Sequence, residues 1–424
     1  LNGGEIMLVE FSVENYLSIN DKVTLSMVAS KDNSHDNNVI ENIDKKLNFL
    51  KTAVIYGANG SGKTNVLKAI RFLSYFIRTS HEMQRGKKID VEPFKLERAC
   101  LDKPSAFDLI FIINEVRYAY GFSATEDKVV DEYLYYYPNG RQSIIFERTD
   151  TVNYKFTNDI EKQTQIKEKF HSDNKLFIST LSVWEYDKAQ IPFKWINDNL
   201  RILIFRENLE SLTIDLMKKD ESVSKRVKSL LKSVVRDIED ITFTEIDINE
   251  DDNPLLKFLS DEAKESLFKS KNNKLINVNT VHKMNDSDEL VEFDLLNESD
   301  GTQKLFGLLG YWIKALDEGL TLVVDELDVR LHSHLTKFLV ELFHNPTINK
   351  NNAQLIFSTH DTNLLDQDIF RRDQIWFTEK KDNNSTDLYS LDDFSVRKDA
   401  AIEKGYLQGK YGAIPYIKGG FLWQ

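Results

Sequence analysis

Three short runs in the chain are mainly apolar: Thr52-Ala53-Val54-Ile55-Tyr56, which is also β-branched, Leu320-Thr321-Leu322-Val323-Val324 and Gln354-Leu355-Ile356-Phe357. Runs of that length read as strands buried on both faces, the kind that parallel sheets are built from. Elsewhere, Phe107–Ile113, Arg117–Ser123 and Tyr133–Tyr137 alternate apolar and polar positions, which predicts an antiparallel sheet. The period becomes helical from about Asn158 to Lys271, with Ile160–Phe170, Leu209–Met217 and Val223–Ile238 as segments. Strands return at Ile241–Ile248, Leu275–His282 and Leu290–Leu296, ahead of an apolar helix over Leu305–Leu316. Polar stretches at Asn249–Asn253, Lys269–Lys274 and Lys381–Thr386 read as loops. The pattern predicts an α/β chain in three parts: 1–157, a mainly helical insertion at 158–271, and 272–424.

The first apolar strand runs directly into Gly57-Ala58-Asn59-Gly60-Ser61-Gly62-Lys63-Thr64, a complete G-x-x-x-x-G-K-[ST] loop. A helix follows from Asn65, with Val66, Leu67, Ile70, Leu73 and Ile77 on one face. Strand, glycine-rich turn and helix together form a phosphate cradle: backbone N–H groups wrap the anion and the helix N-terminus faces it. Lys63 is placed for the β- and γ-phosphates and Thr64 for Mg²⁺. A nucleoside triphosphate with Mg²⁺ is therefore the expected ligand pair, held by residues 57–65.

The second apolar strand ends in Asp325-Glu326. Asp325 is a candidate for the Mg²⁺ shell, and Glu326 for orienting and polarising the attacking water; the blander reading is an acidic helix cap. An acidic loop with Asp328 and a helix from about His332 to Phe343 follow, and the third apolar strand leads to His360. An imidazole there can sense a γ-phosphate. Upstream, Ser299-Asp300-Gly301-Thr302-Gln303 reads as a helix cap, with Ser299 or Asp300 as N-cap and Gln303 reaching back. The same geometry offers a hydroxyl, an amide and a helix dipole to an anion.

Taken together, these motifs resemble the ABC-type P-loop ATPase heads of the RecF, SMC and OLD group. The loop 57–64 is similar to their Walker A and Leu322–Glu326 to Walker B. Ser299, Gly301 and Gln303 are similar to their signature motif, Asp328 to the D-loop aspartate and His360 to the switch histidine. The start, Val9–Ile19, resembles the group's first strand and its N-[FY]-x-S turn, with Leu17 where an arginine is common. Ser333 stands where proline is common, and the Q-loop glutamine is unassigned, Gln84 being the nearest candidate. The resemblance implies a mixed-sheet head with an antiparallel lobe and a helical insertion. It also implies heads that dimerise or form a higher homo-oligomer, so that the signature residues complete the neighbouring chain's site.

The compact length, Pro93-Phe94-Lys95-Leu96 as the start of a strand, and the ending Gly409–Pro415 resemble stand-alone bacterial ATPases of abortive infection and anti-phage defence, of the RloA and AbiL kind. That likeness implies a separate nuclease or toxin-like effector as partner. No nuclease constellation follows His360, which distinguishes the chain from OLD nucleases. The competing reading is a RecF- or SMC-like repair or maintenance ATPase that binds DNA.

Composition narrows these readings. The chain's 424 residues are 41% hydrophobic, enough for one large α/β head and an inserted module. No apolar stretch is long enough to cross a membrane and no signal peptide is evident, so a cytoplasmic location is expected. Residues ahead of Met7 read as leader sequence. The single cysteine, Cys100, excludes an internal disulfide framework and suits a reducing compartment. His332 and His334 lack partners at zinc-site spacing. A net charge of −13 weighs against broad nucleic-acid binding without excluding a local groove. Lys218, Lys219, Lys225, Arg226, Lys228 and Lys232 are interleaved with acids and read as a solvated helix face, and Tyr133–Tyr137 as a half-buried strand rather than a base-stacking platform.

Overall fold

A computed structural model describes residues 6–41, 47–204, 209–235, 237–247, 274–365, 368–394, 396 and 400–415. Among these, the strands form a seven-stranded sheet, a six-stranded sheet, a three-stranded sheet and a two-stranded ribbon. The chain divides into two compact units, residues 1–207 with 314–424, and residues 208–313.

The six-stranded sheet of the first unit runs in the order Leu200–Leu203, Thr321–Val324, Gln354–Ser358, Thr52–Gly57, Ile375–Lys380 and Thr386–Ser390. Its first five strands are parallel, and the last returns antiparallel to its neighbour. Each uninterrupted apolar run in the sequence is a central strand here, with Thr52–Gly57, Thr321–Val324 and Gln354–Ser358 buried throughout. Because these strands are parallel, their carboxyl ends share one edge, which is where open α/β sheets place ligands.

The antiparallel sheet carries strands 6–14, 23–26, 105–113, 116–124, 129–137, 143–149 and 153–156; the alternating pattern predicted the three central ones, 105–113, 116–124 and 129–137. Tyr133 and Tyr135 are half-buried in it and donate to Asp108 and Glu147, each at 2.7 Å, so the aromatic cluster belongs to the sheet. Pro93–Leu96, expected to start a strand, instead leads into a short helix, Arg98–Leu101. The helix Lys63–Thr79 buries Val66, Leu67, Ile70, Leu73 and Ile77, the predicted stripe, together with Phe72 and Phe76. Phe72 meets Phe107 at 5.1 Å and Tyr16 at 5.6 Å, which ties the helix to the antiparallel lobe.

The expected insertion boundary at residue 158 lies inside the first unit. Leu176, Phe177, Ile178, Leu181, Tyr186, Ala189, Trp195 and Ile196 join the same core as Phe107 and Phe122. A buried polar network adds to this. Glu132 accepts the N–H groups of Phe177 (2.6 Å) and Ile178 (3.0 Å) at the start of the helix Phe177–Val183. Arg148, also fully buried, donates to the carbonyls of Thr151, Ser172, Asp173 and Lys175. A helix capped by a carboxylate of the lobe, over a shared apolar core, belongs to that lobe.

The second unit holds the helices Glu210–Lys219 and Glu221–Val234 and the sheet of Ile238–Asp247, Lys274–Lys283 and Leu290–Asp294. It is therefore helical only in part, and it continues past the expected end at 271 to residue 313. The predicted helix over Val223–Ile238 stops at Val234, and Ile238 opens a strand. Lys218, Lys225, Lys228 and Lys232 pair with Glu245, Glu221, Asp240 and Glu239, as a solvated helix face does. The loop expected at Asn249–Asn253 lies outside the described residues, as does most of Lys269–Lys274.

One buried histidine makes the first unit acid-sensitive. His344, at the end of the helix Ser333–His344, lies in the core against the phosphate-loop strand. Its Nε2 is 2.8 Å from the Thr52 hydroxyl, which itself accepts from Gln374 Nε2 at 2.5 Å. The neutral imidazole can accept a hydrogen bond from the hydroxyl there. Burial, with Lys51 adding to it, lowers its pKa to about 3. The unfolded chain takes up this proton near pH 6.5 and the folded one does not. Stability is therefore lost as pH falls from 6.5 towards 3, by about 2 kcal/mol at pH 5. Urea unfolding at pH 7.5 and 5.0 should show a smaller acid loss in His344→Gln than in wild type; equal losses would rule out this assignment.

Candidate functional site

The site is built where the parallel strands end. Val324 is paired with Phe357, and Ser358 with Ile55, so Asp325, Ser358 and Gly57 emerge side by side. The loop 57–62 closes on the helix Lys63–Thr79 through Gly62, whose φ is +117°. A side chain at Gly62 would be strained in that conformation and would also collide with Thr386. Lys63 folds back over the loop, its ammonium donating to the carbonyls of Gly57 (2.7 Å) and Ala58 (3.3 Å). Burial lowers its pKa, while Asp325, Glu326 and Asp328 pull the other way. Asn59 and Gly60 form the exposed tip, and Thr64 and Asn65 lie half-buried in the first helical turn.

The loop is braced by residues that the motif does not contain. Ser61 Oγ meets Thr378 Oγ1 at 2.6 Å, and Thr386 Oγ1 donates to the Ser61 carbonyl at 2.8 Å. Ser18, from the N-terminal turn, meets Thr386 Oγ1 at 2.7 Å and accepts from Asn65 Nδ2 at 2.7 Å. The hairpin Ile375–Lys380/Thr386–Ser390 therefore clamps the loop from one side and the N-terminal turn from another. Ser18 belonged to the recognised turn. Thr378 and Thr386 gave no signal in the sequence beyond lying near a polar loop.

Asp325 is buried, and its Oδ1 accepts from the Ser358 hydroxyl at 2.5 Å. The same hydroxyl accepts the Glu326 N–H at 2.7 Å. Glu326 has φ +48°, a left-handed conformation that costs a non-glycine residue about 1 kcal/mol or more and concentrates at functional sites. Asp328 does not extend away from the chain. Both its carboxylate oxygens accept the His360 N–H, at 3.3 and 3.2 Å, which fixes the turn that presents the imidazole. The His360 pKa lies below the ordinary imidazole value, through desolvation and the Lys63 ammonium, against the pull of Asp328, Glu326 and Asp325. Downstream, the helix Ser333–His344 is capped by His332, whose Nδ1 accepts the His334 N–H at 3.2 Å. Ser333 is thus the first helical residue and not the cap.

Asp325, Glu326 and Asp328 are thus close enough to Lys63 and His360 to act on the ionisation of both. Ser299, Gly301 and Gln303 lie in the second compact unit. There Ser299 Oγ caps the helix Asp300–Glu318 by accepting the Thr302 N–H at 3.2 Å. Gln303 reaches back as expected, but as a donor, to the carbonyls of Leu296 (3.2 Å) and Glu298 (2.9 Å), so no reciprocal capping box forms. Gln84 is exposed and participates through its backbone carbonyl, which accepts from Asn174 Nδ2.

The residues fit a magnesium ion. Among the described residues no group of three or more His, Cys, Asp or Glu is arranged to hold a metal. Mg²⁺ needs no such cage: it takes one or two protein oxygens beside phosphates and water. Asp325 commits one carboxylate oxygen to Ser358, and the Thr64 hydroxyl bonds to no described residue, so both have an oxygen to offer. No helix among the described residues is long and apolar enough to cross a membrane.

Among solved structures, the SMC head domain from Thermotoga maritima is 11% identical, with 90% of this chain and 98% of that chain covered and a TM-score of 0.39. An SMC head bound to the C-winged helix domain of ScpA is 12% identical, covering 90% and 97%, with a TM-score of 0.40. RecF-ATP, a recombination mediator protein, is 11% identical, covering 91% and 98%, with a TM-score of 0.36. None of the curated proteins matches the chain. Residues 53–366, from the phosphate-loop strand to just beyond His360, match the family model described as "AAA domain, putative AbiEii toxin, Type IV TA system", and this chain belongs to that family.

Proposed function

We propose that the chain hydrolyses ATP and uses the hydrolysis cycle as a switch between separated and paired heads. The observation that carries this reading is the convergence of one cation, three carboxylates and one imidazole on the edge that bears the phosphate loop. The loop N–H groups and Lys63 would hold the β- and γ-phosphates. Thr64 and Asp325 would hold Mg²⁺, which would neutralise charge developing on the phosphates. Glu326 is the group that can orient a water and draw off its proton. His360, kept neutral by burial and Lys63, can donate one hydrogen bond and accept another, as a sensor of the γ-phosphate does.

In this reading Ser299, Gly301 and Gln303 of one chain complete the site of a second copy, and Asp328 couples closure to His360. The output passes to a separate effector in a bacterial defence system of the abortive-infection kind. The defence setting draws support from the family description, "AAA domain, putative AbiEii toxin, Type IV TA system".

A shared site makes a specific prediction. Ser299→Arg places bulk and charge at the helix start and should bind ATP without hydrolysing it. Lys63→Ala should be inactive for the opposite reason. Mixed in equal amounts, the two should regain about a quarter of wild-type phosphate release if pairing is random and symmetric. Absence of recovery in proven mixed dimers would mean that residues 299–303 serve only as a helix cap.

A further inference from the structure

The phosphate-loop helix has 17 residues, Lys63–Thr79, and so runs for about 25 Å. Immediately beyond its far end the chain enters a cavity of about 270 Å³ that the hydrolytic site does not use. Its floor is aromatic: Phe170 and Trp184 stack with centroids 4.0 Å apart and planes 21° apart, and Trp184 is 47% exposed. Its walls are basic, with Arg85, Lys169 and Lys175.

Arg85 donates to the His171 carbonyl at 3.1 Å and Lys175 to the His81 carbonyl at 2.8 Å. Among the described residues none of the three cations is paired with a carboxylate. Nearby acids are engaged elsewhere, Asp173 with the His171 ring at 3.0 Å and Glu82 with His81 at 3.6 Å. Across the chain acids outnumber bases, 68 to 55, and Lys218, Lys225, Lys228 and Lys232 are ion-paired. An exposed indole beside three cations offers both halves of nucleotide recognition, a face for a base and charge for a phosphate. The small volume suits one nucleotide rather than a large cofactor.

We infer that this pocket is a second nucleotide-unit site, separate from the phosphate loop, with a base on Trp184 and a phosphate between Arg85, Lys169 and Lys175. The unit is either a free mononucleotide or one residue of a single strand, and the test distinguishes the two. The Lys63→Ala protein serves as the parent, so that binding at the phosphate loop does not contribute. A short fluorescein-labelled oligothymidylate is titrated by anisotropy at low salt, and unlabelled thymidine monophosphate is added in competition. Binding is expected, weakened about tenfold by Trp184→Leu and by Lys169→Glu. Trp184→Phe should retain most of it, and thermal midpoints should stay at the parent's value. Displacement by the monophosphate assigns the pocket to free nucleotides; binding of the oligonucleotide without such displacement assigns it to a strand. The inference is overturned if neither probe binds, or if both Trp184→Leu and Lys169→Glu bind as the parent does.

Discussion

Glu326→Gln is expected to bind ATP as wild type does while phosphate release falls by about 10²- to 10⁴-fold, the range a positioned general base contributes. The substitution keeps the side chain's size and the main-chain bond from Glu326 N–H to the Ser358 hydroxyl. It leaves untouched Asp325 and its bond from Ser358. What disappears is a carboxylate able to take a proton from water. The left-handed backbone at Glu326 aims that group and is equally accessible to glutamine, so no fold change is expected. Equilibrium ATP binding and single-turnover phosphate release measured on one preparation separate the two effects. Undiminished release would remove Glu326 from the mechanism.

Lys63→Ala should fail at an earlier step. Its ammonium is the one cation of the hydrolytic cluster, facing Asp325, Glu326 and Asp328 across the loop. Without it, a polyphosphate would have to enter a site lined by three carboxylates with main-chain dipoles and Mg²⁺ alone to balance the charge. Loss of a charged, preorganised donor at a reacting phosphate is expected to lower turnover by about 10³-fold, with a large fall in affinity as well. Lys63 also ties down the Gly57 and Ala58 carbonyls, so the empty loop should loosen. Nucleotide retention, phosphate release and circular dichroism together separate a lost contact from a lost fold. Wild-type turnover in this variant would overturn the assignment of the loop.

Local chemistry made the phosphate loop legible. Residues 57–64 are contiguous, and their function depends on glycines at fixed spacing after a buried strand, all of which can be read without knowing any neighbour. The three apolar runs were legible for the same reason, since a strand buried on both faces has nowhere to place polar residues. The order of Asp325, Glu326, Asp328 and His360 was legible as well, but their geometry was not. Ser358 holds both acidic positions of the strand end because two parallel strands happen to be in register there. Asp328 fixes the His360 turn within its own chain, a contact that spacing alone does not reveal.

Division of the chain was less accessible. Helical periodicity begins near residue 158, yet the apolar faces that follow complete the core of the antiparallel lobe, and Glu132 caps one of the helices. Periodicity reports which face of an element is buried and is silent about what buries it. The same limit hid Thr378 and Thr386, which reach the phosphate loop from more than 300 residues downstream. Sequence alone thus determined the buried strands and the glycine-rich turn from the first of them into its helix. Tertiary structure decided which hydroxyls brace that turn, which unit each helix joins and which cations stay unpaired among the described residues, because hydrogen-bond and core partners are set by packing between segments distant in the chain.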